Sequence, residues 1–457
     1  MAGELYYPNI TGTFDWDVLL QATLQPYYTK IQNLQNQEQT IDSKISALNE
    51  LSSKLQDLYS FASSLNPDSW FSKKAVENSN PDAVDVKLLT NDVPDYIAQG
   101  KVDKIAQIEI DYFTREFKSL DEELNSDEPN KEYTLSLSYK TTDGKEINKD
   151  ITLKGSDTLQ DVIDKINNDP DIGPYIHAYA MFTGNGYRLA LMETNVENSD
   201  VESEAGGPYE KKGVKEVLGD YYIMQGAQNS EIAIGDNKFQ TPGYTFKDLF
   251  PGLEITVKKT GDFTIKVTTD YQGIAKSFVD LINKINEVIK KINDLTKVTV
   301  SGDKVSAPKI SDYSIKALKD RLQQLVNPLL EDSTASKYNI IDYNSTDGTI
   351  TVDEAELIKF LKENPKDKWQ VLYDVAKNAK NLADLATNKA YVATLLQSYN
   401  SEKDSIEDKI DYYQNLIQEK QLFLRKYYGR VEDYIATLKN TQEKINQILI
   451  AQMAQSK

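Results

Sequence analysis

IDYYQNLIQEKQLFLRKYYGRVEDYIATLKNTQEKI, residues 410–445, is the stretch that decides the fold. Apolar residues return every seven positions, at Ile410, Ile417, Leu424, Val431, Leu438 and Ile445. A second seam lies three residues after first-seam positions, at Tyr413, Tyr427, Tyr434 and Ile448, interrupted by Lys420 and Thr441. Two seams alternating three and four apart mark a coiled coil. After Pro365 there is no further proline and one glycine, Gly429, so little in this region breaks a helix.

The other end of the chain answers in kind. Between Pro26 and Pro67 there is neither proline nor glycine, and Leu34, Ile41, Leu48 and Leu55 stand seven apart. A partner stripe fills in with Ile31 and Ile45, then drifts to Leu51, Leu58 and Leu65, as on a long helix packed along one side. About forty residues at 1.5 Å each span about 60 Å. Such stripes suit a long helix of an ordinary bundle. The sharper expectation is that the two terminal helices pair with each other or with neighbouring subunits.

Between these ends the period changes. Tyr133–Tyr139 alternates apolar and polar residues, leads into Asp143-Gly144, a hairpin turn signal, and resumes over Ile147–Leu153. Ser156 is placed to cap a helix carrying Val162, Ile163 and Ile166, ended by Asp169-Pro170. Strands are expected at Tyr175–Phe182 and Tyr187–Met192, joined by Gly184-Asn185-Gly186. A polar loop covers about 193–213. More strands fill Tyr221–Thr269, joined by Ala83–Leu89 and Ile105–Ile110. Helical periodicity returns at Ile274, Phe278, Leu281, Ile285, Val288, Ile292 and Leu295. It continues in a second helix carrying Ile315, Leu318, Leu322, Leu325 and Leu329.

The expected fold is therefore α+β and multidomain. Long terminal helices form a coiled-coil leg, and β-rich head domains are inserted between them. The expected divisions are a helical leg of 34–72 plus 273–424, a β-rich head of 73–120 plus 221–272, and a distal α+β head of 121–220. Terminal helical segments, 1–33 and 425–457, complete the chain. A length of 457 residues allows about two to four domains.

Composition narrows function by exclusion. A formal charge of −19 repels phosphate backbones and anionic membranes, so neither nucleic acid nor membrane is an expected partner. Lys211, Lys212 and Lys215 sit among glycines and glutamates and read as a solvated loop. With no cysteine there is no disulfide, thiol nucleophile or cysteine zinc site. The single histidine, His177, lies in an expected strand. Phosphate-binding GxxxxGK[ST], dinucleotide GxGxxG, GxSxG and HExxH patterns are absent. Asp342-Tyr343-Asn344 with Asp353 resembles a calcium loop, but the glycine, Gly348, falls one residue late and the closing glutamate is missing. Paired carboxylates are too abundant, among 71 Asp and Glu, for any pair to signify. No catalytic residue, cofactor or metal is expected. The N-terminus lacks a basic and then apolar leader, and no run approaches the ~18 apolar residues of a membrane span.

Several stretches, in order, resemble the flagellar filament cap family (FliD, flagellar hook-associated protein 2). Thr11-Gly12-Thr13-Phe14-Asp15-Trp16, then Gln25-Pro26 before a heptad helix, looks like the family's opening. Extra aromatic residues intervene in its Ser-Gly-Leu-Asp type start. Thr158-Leu159, Ile166-Asn167 and Tyr187-Arg188-Leu189 are similar to the head's "TL…IN" helix and "YRL" strand. Ile234-Gly235, Asp248, Pro251-Gly252 and Leu253–Ile255 look like the opening of the family's C-terminal region. Phe278-Val279 through Asn283 is similar to its "FV…YN" helix. The most specific match is Asp347-Gly348-Thr349-Ile350 through Val352-Asp353, Leu357, Leu361, Asn364-Pro365 and Val371-Leu372-Tyr373.

The resemblance implies a structural protein, not an enzyme. It implies a homo-oligomeric ring, of about five or six subunits, at the filament tip, outside the cell. Flagellin, hook–filament junction proteins and a flagellar export chaperone are the implied partners. Export runs through the flagellar type III pathway without a cleavable signal. The implied interaction residues are the leg seams: Leu34, Ile41, Leu48, Leu55, Ile410, Ile417, Leu424, Val431, Leu438 and Ile445. The terminal segments are expected to be mobile in the free monomer. Another axial flagellar protein, flagellin or a hook–filament junction protein, or a tip adhesin shares these broad features.

Overall fold

The computed structural model describes residues 11–12, 14–140, 145–196, 209–211, 214–301 and 304–455. The turn expected at Asp143-Gly144, Lys212 and most of the 193–213 loop lie outside them. The chain divides into two compact units: Met1–Phe71 with Tyr271–Lys457, and Ser72–Asp270. The head is thus an insertion into a helical unit whose halves come from both chain ends.

The longer helices of the helical unit are α1 (Trp16–Ser64), α2 (Tyr271–Thr296), α3 (Tyr313–Gln323), α4 (Glu354–Glu363), α5 (Gln370–Asn388) and α6 (Val392–Gln455). Helix α1 starts where Asp15 accepts from the amides of Asp17 and Val18, at 3.2 and 3.1 Å. It runs 49 residues, about 74 Å, and passes through Pro26. The periodicity placed its start after that proline. An interior proline costs about 3 kcal/mol. Burial of Trp16, Leu20 and Leu24 on the turns before it, at about 1.5–3 kcal/mol each, outweighs that cost.

The main core gathers Leu48, Leu51, Leu55 and Leu58 of α1 with Phe278, Ile285 and Val288 of α2 and Leu372, Ala376 and Ala379 of α5. Alanines on α5 let it approach α1 closely. Phe278 is fully buried. Phe278→Ala is expected to cost about 3–5 kcal/mol, read as a lower urea midpoint for the helical unit.

Two sequence expectations change here. The helix expected from Ile315 to Leu329 is broken into α3, a 3-10 turn at Gln324–Val326 and a one-turn helix Asn327–Glu331. Pro328 has no N–H for the carbonyl of Gln324, so α3 cannot continue through it. The calcium-like segment is a hairpin, Ile341–Tyr343 paired with Ile350–Val352. Its oxygens serve local backbone. Asn344 Oδ1 accepts from Thr346 N at 2.8 Å, Asp347 Oδ1 from Thr349 N at 2.9 Å, and Asp353 Oδ1 caps α4 through Glu356 N at 3.0 Å. Buried Asn286 of α2 clamps this hairpin, accepting from Ile350 N and donating to its carbonyl, both at 2.7 Å.

The head carries strands numbered along the chain: β1 (Lys74–Asn78), β2 (Val84–Leu88), β3 (Tyr96–Lys104), β4 (Ile110–Phe113), β5 (Glu132–Lys140), β6 (Glu146–Lys154), β7 (Ile176–Phe182), β8 (Tyr187–Glu193), β9 (Tyr209–Lys211), β10 (Tyr221–Gln225), β11 (Ser230–Ile234), β12 (Asn237–Thr241), β13 (Thr245–Lys247), β14 (Leu253–Val257) and β15 (Gly261–Thr269). One core lies between the sheets β1-β15-β3-β11-β12 and β13-β14-β2, around Val102, Ile232, Ile255, Phe263 and Ile265. Strands β1 and β3 alternate only weakly and gave no sequence signal. The strand expected over Ile105–Ile110 is largely irregular, touching a partner at the Gln107–Gln228 bridge.

The second head core involves the sheets β10-β4-β8-β7 and β6-β5-β9 and the helix Leu159–Asn167. That helix is capped by Thr158, in a reciprocal box with Asp161, and not by Ser156. Asn167 fastens it to β7 through the N–H and carbonyl of Ala178, at 2.7 and 2.9 Å. Phe113 and Phe117, ahead of the boundary expected near residue 120, pack in this core. The expected His177 strand is β7.

Candidate assembly interface: the paired terminal helices

Helices α1 and α6 run antiparallel. Ile41 of α1 packs with Ile406 and Ile410 of α6, flanked by Leu34 and Ile45. Nearer the termini, Trp16, Leu20 and Leu24 pack with Ile417 and Tyr428, flanked by Leu424, Val431 and Ile435. Polar groups rim this seam. Lys403 reaches Asp42 at 2.7 Å, Gln421 donates to the Tyr28 hydroxyl at 3.0 Å, and the Lys420 ammonium lies 5.4 Å from the Tyr27 ring centre.

The predicted seam residues divide into three groups. Leu34, Ile41, Ile410, Ile417, Leu424 and Val431 do meet along the α1–α6 seam. Leu48 and Leu55 continue the same stripe but are buried against α2 and α5. Leu438 and Ile445 are exposed, at 58% and 52%. The antiparallel register explains this last group. Trp16 sits opposite Tyr428 and Glu432, so α1 ends while α6 runs about 20 residues, about 30 Å, further.

The second seam also differs from the expected one. Tyr428 and Ile435 face α1, whereas Tyr427 and Tyr434 are exposed. A straight α-helix drifts about 20° per heptad against a strict repeat of seven, which turns the expected second seam progressively away from α1 along α6.

A buried polar fastening closes the pair, and sequence periodicity gave no hint of it. Glu432 is 2% exposed. Its carboxylate accepts from the Trp16 indole Nε1 at 2.6 Å and from the Thr11 backbone N at 2.5 Å. Lys439 donates to the Thr11 carbonyl at 2.7 Å, and the Trp16 ring stacks on Tyr428 at 5.0 Å. Burial pushes the Glu432 carboxyl up, but the bonds from Thr11 and Trp16, with Lys439 nearby, hold it below the usual carboxylate range. A carboxylate with a depressed folded value stabilises above its unfolded value and loses that stabilisation as pH falls through the folded one. The fastening is therefore expected to release only as pH falls below the ordinary carboxylate range, seen as exposure of Trp16 fluorescence. Glu432→Ala should produce the same release at neutral pH, with amide exchange in the first turn of α1 about tenfold faster. Residues 16–31 lie in α1, with Trp16, Leu20 and Leu24 buried against α6. The aromatic anchors Trp16 and Tyr428 lie outside the stripe that begins at Leu34.

Beside the buried seam, α6 carries a second apolar stripe. Phe423, Tyr427 and Tyr434 each stand one residue before an inward position, hence about 100° around the helix. Where α1 no longer covers it, the continuation of the first seam at Leu438 and Ile445, with Ile448, adds to this apolar surface, and all six residues are more than half exposed. Stripes of this size on soluble helices mark contacts with another chain.

The model for the flagellar hook-associated protein 2 N-terminus matches residues 12–107, and that for its C-terminus matches residues 227–453. The chain belongs to the flagellar hook-associated protein 2 family. This is the family of the flagellar filament cap, a structural protein. A flagellar hook-associated protein 2 from Aquifex aeolicus is 29% identical over 92% of this chain and 91% of its own length. One from Campylobacter jejuni is 26% identical over 78% of this chain and 61% of its own length. The crystal structure of the D1-D2-D3 domains of the flagellar cap protein FliD from Escherichia coli has a TM-score of 0.49 at 17% identity. It covers 78% of this chain and 99% of that one. The family's N-terminal match spans α1 through β3, and its C-terminal match spans β11 through α6, so both strands of the leg fall inside it. Among the described residues no helix is long and apolar enough to cross a membrane.

Proposed function

We propose that this chain caps the flagellar filament as a closed ring of identical subunits, with the heads as the plate and the paired terminal helices as legs. Flagellin subunits fold and insert beneath the plate. The observation that carries this reading is the double-faced α6 helix: one apolar face is taken by α1, and the other is exposed. A helix face with apolar residues four and seven apart docks onto another amphipathic helix by knobs-into-holes packing. Flagellin, the hook–filament junction proteins, an export chaperone and neighbouring copies are the helical partners this reading supplies. Export through the flagellar type III route, without a cleaved leader, brings the chain to the tip outside the cell.

Light scattering after size exclusion, over a range of concentrations, tests the reading. A discrete small oligomer that grows with concentration and then stops is the expected result. Open-ended fibres would point to a filament subunit instead, and a monomer at every concentration would remove the ring.

A further inference from the structure

The sheet β10-β4-β8-β7 has a core face and an outer face, separated by the alternation of side chains along each strand. Asp111, Phe113, Leu189 and Leu191 lie on the core face with Ala178. Directly paired residues share a face, so Tyr222, Tyr112, Ala190 and Tyr179 form one row across the outer side. The rows beside it are Arg188–Met181 and Ile110–Met192–His177. Tyr222 is 53% exposed, and its ring stacks on Tyr112 at 6.0 Å. The Arg188 guanidinium lies over the other side of this cluster, 5.7 Å from the Tyr112 ring centre, and meets Glu116 at the rim at 3.6 Å. Ala190 is fully buried between its larger neighbours.

An antiparallel sheet with one face in water normally alternates to polar residues on that face. These three rows contain no Asp, Glu or Lys. Tyr, Met and Arg, types enriched at protein–protein contacts, make up most of them, with Ala190, Ile110, His177 and Gln225 beside them. Strand β10 is also an edge of the sheet, with Ile223 and Met224 exposed and no charged residue along it.

We infer that this tyrosine–methionine face, with the β10 edge, is the surface on which a second copy of the chain docks, head against head. The inference rests on the ring reading above and adds the place where copies meet. Charge selects the occupant. The chain carries 71 acidic against 52 basic residues, so two copies repel wherever average surfaces approach. A face whose rows carry no carboxylate, with Arg188 balanced by Glu116 at its rim, is close to neutral and is where an acidic neighbour can approach without repulsion. Area sets the strength. Three rows across four strands cover about 300–400 Å², against about 800 Å² per partner in a stable pair. A single contact is therefore weak, and copies hold together only when ring closure combines the contacts.

The chain has no cysteine, so Tyr222→Cys supplies its sole thiol, which is labelled with a maleimide benzophenone. Illumination of the assembled full-length protein is expected to yield a covalent dimer of the chain. In parallel, Tyr222→Glu with Tyr179→Glu is expected to raise the concentration of half-assembly at least about tenfold. The melting profile should stay that of the parent. An oligomer that gives no self-cross-link, or a folded double variant that assembles at the parent concentration, overturns the docking face and leaves the ring standing. A parent chain that never assembles overturns both. Cross-linking to flagellin in place of a second copy overturns the choice of occupant.

Discussion

Asp111→Asn is expected to raise the melting temperature of the head at pH 7 by about 10 °C, with the gain shrinking to nothing near pH 4. Asp111 lies on the core face of β4, 6% exposed, and its Oδ1 has no hydrogen-bond partner. Glu109, Glu193, Ser138 and Tyr139 line the same cavity of about 20 Å³, the size of one water. The buried hydroxyl of Tyr221 on β10 neighbours the Asp111 carboxyl and partly offsets the rise that burial imposes on it. Burial pushes the Asp111 carboxyl up to about 8, and the charges of Glu109 and Glu193 add to the rise. Burial also raises Glu109 and Tyr221. The folded head therefore holds a proton that the unfolded chain releases, between about pH 4 and pH 8. Stability falls as pH rises through that window and levels off above it. At pH 7 holding the proton costs up to about 4 kcal/mol, from 1.36 kcal/mol per unit. An amide keeps the shape and carries no such cost. For a unit of this size each kcal/mol moves the melting temperature by about 2–4 °C. Calorimetry of parent and variant at pH 4.5, 7 and 8.5 decides the matter. A variant that melts with the parent at pH 7, or a parent whose head is most stable at pH 8.5, would show that Asp111 is ionised in the fold.

The second large effect concerns the leg. Leu424→Asp with Val431→Asp places two carboxylates in the α1–α6 seam, in an apolar cluster with Trp16, Leu20 and Leu24. The cost is expected to be about 2–4 kcal/mol, enough to part the seam over its outer third. The head should keep its own melting transition, because none of its core residues comes from the leg. Filament growth in cells carrying only this variant is expected to be lost. A companion variant separates pairing from docking. Leu438→Asp with Ile445→Asp changes exposed positions, so Trp16 fluorescence and stability should match the parent. Filament growth should still fail if the outer stripe receives a partner helix. Normal filaments from the companion variant would assign the leg's role to the inner seam alone, and normal filaments from both would remove the leg from capping altogether.

Much of the architecture is local in origin, and that part was legible. Heptad stripes announce α1 and α6 because a helix that buries one side must repeat its apolar residues near the helical period. Tyr133–Tyr139, Ile147–Leu153 and the Gly184–Gly186 turn announce strands by alternation and by a turn that favours a positive φ, +97° at Gly184. Order along the chain, helical ends around a β-rich middle, follows from these periods. Family membership was legible as well, in short stretches whose sequence is tied to local geometry. The Asp347–Ile350 run is one, where Gly348 adopts φ +74° and the Asp347 side chain closes the turn.

What a stripe faces is another matter. Successive positions of the α1 stripe cannot be told apart from their sequence: Ile41 meets α6, whereas Leu48, two turns along the same stripe, meets α2 and α5. A stripe states only that something apolar must cover it; the antiparallel register of two helices more than three hundred residues apart chooses what does. That register also left Leu438 and Ile445 uncovered and brought Glu432 onto Trp16. The face of the β10-β4-β8-β7 sheet is likewise a product of pairing, since Tyr222, Tyr112 and Tyr179 fall in one row only when four strands, with Ala190 of β8 between Tyr112 and Tyr179, lie side by side. By itself the sequence determined helix, strand and turn wherever the burial of one side or a backbone φ is decided within a few residues. Tertiary structure alone decided which apolar faces are filled, which are left open and where carboxylates are buried, because those depend on pairings between segments that carry no local trace of one another.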